Sequence, residues 1–220
     1  ASYAEAWDHV CLTAGFNDWH HVVLMYDGSQ VHFYLDGVPE EHAANDEGEL
    51  VVVGKSQFIE QARTGTGGEY FVGEIDEVRL FTRVISEVEI AEYCNCDIQT
   101  PPPAPTPAVA VGDLEAFYSF DDDTAADSGP FEGRDGEWEG TPAYADRREG
   151  MGRAASFDGA SRIVVNGFVG MQWCAELSLS LMFRRTGATG NYMGIVNTEY
   201  YSNGAFEIRM GREGGGTMLG

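Results

Sequence analysis

Residues 177–185, LSLSLMFRR, alternate Leu177, Leu179, Leu181 and Phe183 with Ser178, Ser180 and Met182. Strand side chains point to opposite faces in turn, so this period of two predicts a half-buried strand. The signal recurs along the chain. WHHVVLMYDGSQVHFYLDGV (19–38) holds two β-rich runs, 20–26 and 31–35, around a D-G-S-Q turn, the pattern of a hairpin. ELVVVGK (49–55) is another apolar run, and EYFVGEIDEVRLFTR (69–83) predicts a long strand after the loop TGTGG. Further strands are predicted in LEAFYSF (114–120), on either side of the D-G turn in AASFDGASRIVVNG (154–167), and in MGIVNTEYY and AFEIRMGR near the end. One segment departs from the pattern. In ISEVEIAEYC (85–94), Ser86 and Glu89 have capping-box spacing and the apolar residues recur at helical spacing, so a single short helix is expected. The fold class is all-β with that one helix.

DIQTPPPAPTPAVAVG (97–112) separates two strand-rich halves, 1–96 and 113–220. Five of its residues are proline, which predicts an extended, semi-rigid linker at ~3 Å per residue.

Composition narrows the partners. The 220 residues suffice for one large sandwich or two small domains. Thirty-six acids face 13 bases, giving a net charge of −23, and the one lysine is Lys55. Such a surface repels nucleic-acid phosphates and attracts divalent cations, so no DNA or RNA partner is expected. No stretch approaches the ~20 apolar residues of a membrane helix, and no membrane insertion is expected.

Cys11, Cys94, Cys96 and Cys174 lack the paired C-x2-C spacing of a zinc knuckle. A Cys94–Cys96 bridge across one residue would be strained. Two pairings stay open: Cys94 with Cys11 and Cys96 with Cys174, or the reverse. The even count, acidic balance and glycine-rich loops point to an oxidising setting, extracellular or at the cell surface. His20 and His21 are neighbours and face opposite sides of a strand, so they cannot share a metal. TGTGGEYFVG leads into a strand and offers no helix N-terminus for phosphate. No Ser or Cys stands out as a nucleophile.

Together these pieces resemble the laminin G-like, concanavalin A-like jelly rolls of bacterial surface proteins. Trp19 to Gly37, Gly68 to Phe81, and Ser86 to Ile90 are similar to the second half of such a domain. Tyr118 to Gly129, Phe157 to Val165, and Leu177 to Arg184 are similar to its first half. The resemblance implies an antiparallel β-sandwich whose halves are presented in reverse order. Joining Gly220 to Ala1 restores the family's order. Three arrangements fit: a window on a tandem array, a subunit whose halves complete neighbouring copies head to tail, or a permuted monomer closing on itself. Half a sandwich alone exposes an apolar face and unpaired edges that a partner must cover, and a head-to-tail contact of that kind builds a filament. Copies of the chain itself are therefore the expected partners, in a fibre or long surface stalk.

GEIDEVRLF (73–81) poses the question of catalysis. Related glucanases carry acids at alternate strand positions, or in a bulged variant, so that two carboxyls project into a sugar cleft. Strict alternation places Glu74, Asp76 and Val78 on one face, with Val78 where a third acid would stand and Asp76 turned inward. A non-enzymatic protein is expected. The resemblance implies that the first and last strands lie side by side, bringing Asp76 to the loop DDDTAADSGPFEG. Asp76, Asp121, Asp123 and Asp127 are then candidate ligands for a structural Ca2+, which takes six to eight oxygens. Sugars stack on exposed aromatic rings, so Trp138 and Trp173 are candidates for the alternative function, a carbohydrate-binding or adhesion module.

Overall fold

The computed structural model describes residues 8–12, 17–40, 57–59, 71–94, 113–147, 151–166, 175–187, 193–198 and 206–210. The apolar run 49–55, the linker 97–112, Cys96, Trp173 and Cys174 lie outside the described residues.

Residues 1–96 contribute β1 (Asp8–Leu12), β2 (Trp19–Tyr26), β3 (Val31–Leu35), β4 (Val38–Glu40), β5 (Gln57–Ile59), β6 (Val72–Phe81) and α1 (Glu87–Cys94). Residues 113–220 contribute β7 (Leu114–Tyr118), β8 (Gly136–Glu139), β9 (Tyr144–Asp146), β10 (Arg153–Asp158), β11 (Arg162–Val165), β12 (Leu177–Arg185), β13 (Met193–Thr198) and β14 (Phe206–Met210). The expected hairpin is β2–β3, with Tyr26 opposite Val31. Strands β1, β4, β5, β8 and β9 are short and carry too few residues to show a period.

Two sheets form, and each mixes strands from both halves. One runs β1-β14-β13-β5-β11-β8. The other runs β4-β3-β2-β12-β6-β10-β9, with β7 also paired to β6. Strand β12 thus lies between β2 and β6, and the first strand of the trailing half, β7, flanks the last strand of the leading half. Pairing is antiparallel apart from β1 with β14. The architecture is an all-β sandwich closed within one chain.

The main core fills the space between the sheets. Val22 and Leu24 of β2, Ile75, Val78 and Leu80 of β6, and Leu177, Leu179, Leu181 and Phe183 of β12 meet Ile163, Val165, Ile195 and Ile208 from the facing sheet. A second, smaller core lies outside the larger sheet, where α1 packs Ile90 against Val23, Met25, Phe81 and Ile85. The helix begins as expected. The amide and hydroxyl of Ser86 donate to Glu89 Oε2, and the Glu89 amide donates back to Ser86 Oγ.

Two expectations from strict alternation are corrected. β12 is buried on both faces, because its outward Ser178 and Ser180 lie beneath other groups and are both fully inaccessible. Ser178 Oγ donates to the carbonyl of Arg83 and accepts from the amide of Ile85. Strand β6 also changes phase. Met182 faces Asp76 and Ser180 faces Arg79, so Glu77 and Val78 together oppose the single residue Leu181. This is a β-bulge, and Glu77 takes a left-handed conformation with φ 55° to make it. Val78 and Leu80 thereby rejoin the core face of Ile75, while Glu74 and Asp76 point outward.

Candidate functional site

The outer face of the larger sheet carries two rows of chemistry-bearing side chains. One row is Trp19, Arg184 and Glu74; the next is His21, Met182 and Asp76. The bulge also decides which residue joins the acids. Arg79, rather than Val78, shares the face of Glu74 and Asp76, so a base occupies the place of a third acid.

Each acid meets an arginine. Glu74 accepts from Arg184 Nε, and Asp76 Oδ2 accepts from Arg147 Nη1 at 2.9 Å. Asp76 Oδ1 accepts from the backbone amide of Glu77 at 2.7 Å, a contact that the left-handed bulge residue makes with its own neighbour. Glu77 pairs with Arg79. Trp19 lies close to both arginines from the trailing half, with Arg147 at 5.4 Å and Arg184 at 5.3 Å from its ring centroid. Its indole N–H donates to the carbonyl of Arg147 at 3.1 Å.

Electrostatics follow from burial. Asp76 is fully inaccessible. Burial pushes its carboxyl up to about 7, Glu77 and Asp121 push the same way, and Arg147 with the Glu77 amide pulls it back. His21 is held neutral. Burial, with Arg79 and Arg147 adding to it, lowers its pKa to about 4, and its Nε2 lies 2.9 Å from Ser180 Oγ. His20 faces the other way, against the Phe183 ring, with Nδ1 2.8 Å from Asp36 Oδ2.

The acids expected to hold calcium each have protein hydrogen-bond donors. The amide of Arg153 donates to Asp121 Oδ1, and Arg153 Nε donates to Asp123 Oδ1. Asp127 Oδ1 accepts from the amides of Phe117 and Gly129. Asp121 is near enough to press on Asp76, as the juxtaposition of β6 and β7 implies, but both Asp76 oxygens are already taken. Among the described residues no group of three or more His, Cys, Asp or Glu side chains could hold a metal ion. The residues around Asp76 therefore do not fit a cation: a guanidinium stands at the carboxylate.

Trp138 is half-buried against the core. Its ring lies 5.2 Å from Phe157 and edge-on to Tyr144, whose hydroxyl accepts its N–H at 2.8 Å. Cys94, at the end of α1, is disulfide-bonded; of Cys11 only the backbone in β1 is described.

No local pattern in the sequence marks Arg147 and Arg184 as the partners of these acids. The signal that would have found them is charge balance. Acids on a strand packed between other strands require counter-charges from adjacent segments, and this chain has few bases to supply them.

Comparison with known proteins falls on the leading half. Residues 4–91 match the laminin G family model described as the concanavalin A-like lectin/glucanases superfamily. That segment is similar to the laminin G family. The laminin G-like segment contains β1 to β6 and the start of α1, and its sheets are completed by strands of the trailing half. No curated protein and no solved structure matches the chain. Among the described residues no helix is long and apolar enough to cross a membrane.

Proposed function

We propose that the chain is a non-enzymatic, extracellular structural protein: a laminin G-like unit of a fibre or long surface stalk, in which the sandwich that one chain can close is completed instead between successive units by exchange of halves. The observation that carries this reading is the seam between the halves. The acids best placed for chemistry, Glu74 and Asp76 of the leading half, are paired with Arg184 and Arg147 of the trailing half. Retaining sugar hydrolysis needs two carboxyls ~5 Å apart, one free to donate a proton and one to attack. Acids fixed in ion pairs beneath Trp19 serve cohesion instead.

The rest of the seam agrees. His21 meets Ser180, Ile85 meets Ser178, and the Val84 amide donates to Glu176, each pair joining the two halves. A half that met its complement on another copy would find the same partners. The linker has the reach. The Thr82 amide donates to the carbonyl of Asp113, and Tyr93 near the end of α1 stacks on Phe81, so Tyr93 and Asp113, described residues on either side of the linker, meet the end of β6 at one corner. A proline-rich segment of that length spans roughly 50 Å when extended, far more than the corner requires. Disulfides such as that of Cys94 would stiffen the unit.

Negative-stain imaging and light scattering across a concentration series test the reading. Filaments with a one-domain repeat, growing with concentration, are expected. Monomers at every concentration, together with glycan binding that is lost in Trp138→Ala or Trp173→Ala, would replace it with the carbohydrate-binding alternative.

A further inference from the structure

We infer that Arg147 is a built-in counter-ion that takes the place of a divalent cation at Asp76, making closure of the seam independent of free metal. Two carboxylates meet at this guanidinium, and a third acts on them from farther away. Asp76 is fully inaccessible, Glu77 Oε1 lies 3.9 Å from Arg147 Nη1, and the charge of Asp121 reaches Asp76. Like charges at such a point are relieved by a cation between them or by taking up a proton. Calcium would satisfy that need with carboxylate and carbonyl oxygens. Here one Arg147 nitrogen is directed at Asp76, Arg79 neutralises Glu77, and Asp121 accepts the Arg153 amide.

The guanidinium is positioned rather than loosely attracted. The Arg147 carbonyl accepts the Trp19 indole N–H, its amide donates to the carbonyl of Gly152 at 3.2 Å, and its charged end lies over the Trp19 ring. Its side chain is only 10% exposed. An arginine remains charged at every physiological pH and cannot be removed by a chelator, whereas a bound ion equilibrates with its surroundings. The inference does not depend on whether the chain polymerises.

Thermal unfolding of the full chain tests it, with wild type, Arg147→Ala and the double variant Asp76→Asn/Arg147→Ala each melted in Ca2+ and in EGTA. Wild type is expected to melt at the same temperature in both. At alkaline pH, where the wild-type Asp76 is ionised, Arg147→Ala is expected to melt about 10 °C lower in EGTA, the scale for leaving a buried charge unpaired in a chain of this size. The double variant should regain most of that loss, because no uncompensated carboxylate is left. Calcium should raise the melting temperature of Arg147→Ala and leave wild type unmoved. A wild-type melt that falls in EGTA would overturn the inference. So would an Arg147→Ala melt equal to wild type, a double variant no better than the single, or an equal or absent calcium response in wild type and Arg147→Ala.

Discussion

His21 shows how a single side chain reports the outer face. It is 1% exposed, and its pKa is lowered from 6.5 to about 4, first by burial. A histidine whose folded pKa is depressed contributes stability that is complete above its unfolded pKa of 6.5 and is lost as pH falls toward about 4. The full loss is about 3 kcal/mol, at about 1.4 kcal/mol per pKa unit. Imidazole NMR shifts should show one ring that stays neutral until near pH 4, and His21→Gln should abolish this part of the acid destabilisation. A His21 ring titrating near 6.5 would contradict the buried placement. At this scale the sequence was partly legible. The opposite orientations of His20 and His21 follow from strand geometry alone. The pairing of Asp76 with Arg147 does not, because the two residues are 71 positions apart and no local pattern links them.

Strand β6 shows what periodicity can and cannot supply at the scale of an element. Its position was readable from EYFVGEIDEVRLFTR, although the strand, Val72–Phe81, is shorter than that run, and the capping box of α1 was readable from Ser86 and Glu89. The bulge was not readable, because it inserts one residue into a period of two and reverses every assignment upstream of it relative to the residues downstream. Alternation turned Asp76 inward on the strength of Val78 and Leu80; the left-handed Glu77 reverses that inference. The conformation makes its own prediction. Glycine tolerates φ 55° without the Cβ penalty, whereas a β-branched residue does not. Glu77→Gly should unfold in urea within about 1 kcal/mol of wild type, because relief of backbone strain offsets the lost pair with Arg79. Glu77→Val should lose about 2 kcal/mol or more. Equal stability of the two variants would mean that the bulge does not form at Glu77. Burial of both faces of β12 was hidden for a related reason. Its alternating serines read as solvent-facing, yet their hydroxyls are taken by Arg83 and Ile85, ahead of α1, and by His21.

At the scale of the whole molecule, the halves are interleaved rather than adjacent. Strand β12 of the trailing half sits between two strands of the leading half, and the main core draws on both. Separating the halves would expose the apolar face of every strand in that core and leave Asp76 without Arg147. The net charge of −23 adds self-repulsion to the compact state, so the few arginines placed at the seam carry more than their number suggests. The all-β class was legible because alternating and β-rich runs recur in both halves. Which strands pair across the junction was not, since register between distant segments depends on shape and burial that no local window contains. The most direct measurement prepares residues 1–96 and 113–220 as separate polypeptides and follows circular dichroism, size and melting of each alone and of the mixture. Interleaved sheets predict that neither piece alone melts cooperatively and that the mixture forms a one-to-one β-rich complex with a single transition. Two pieces that each fold and melt cooperatively, and ignore one another when mixed, would contradict the account.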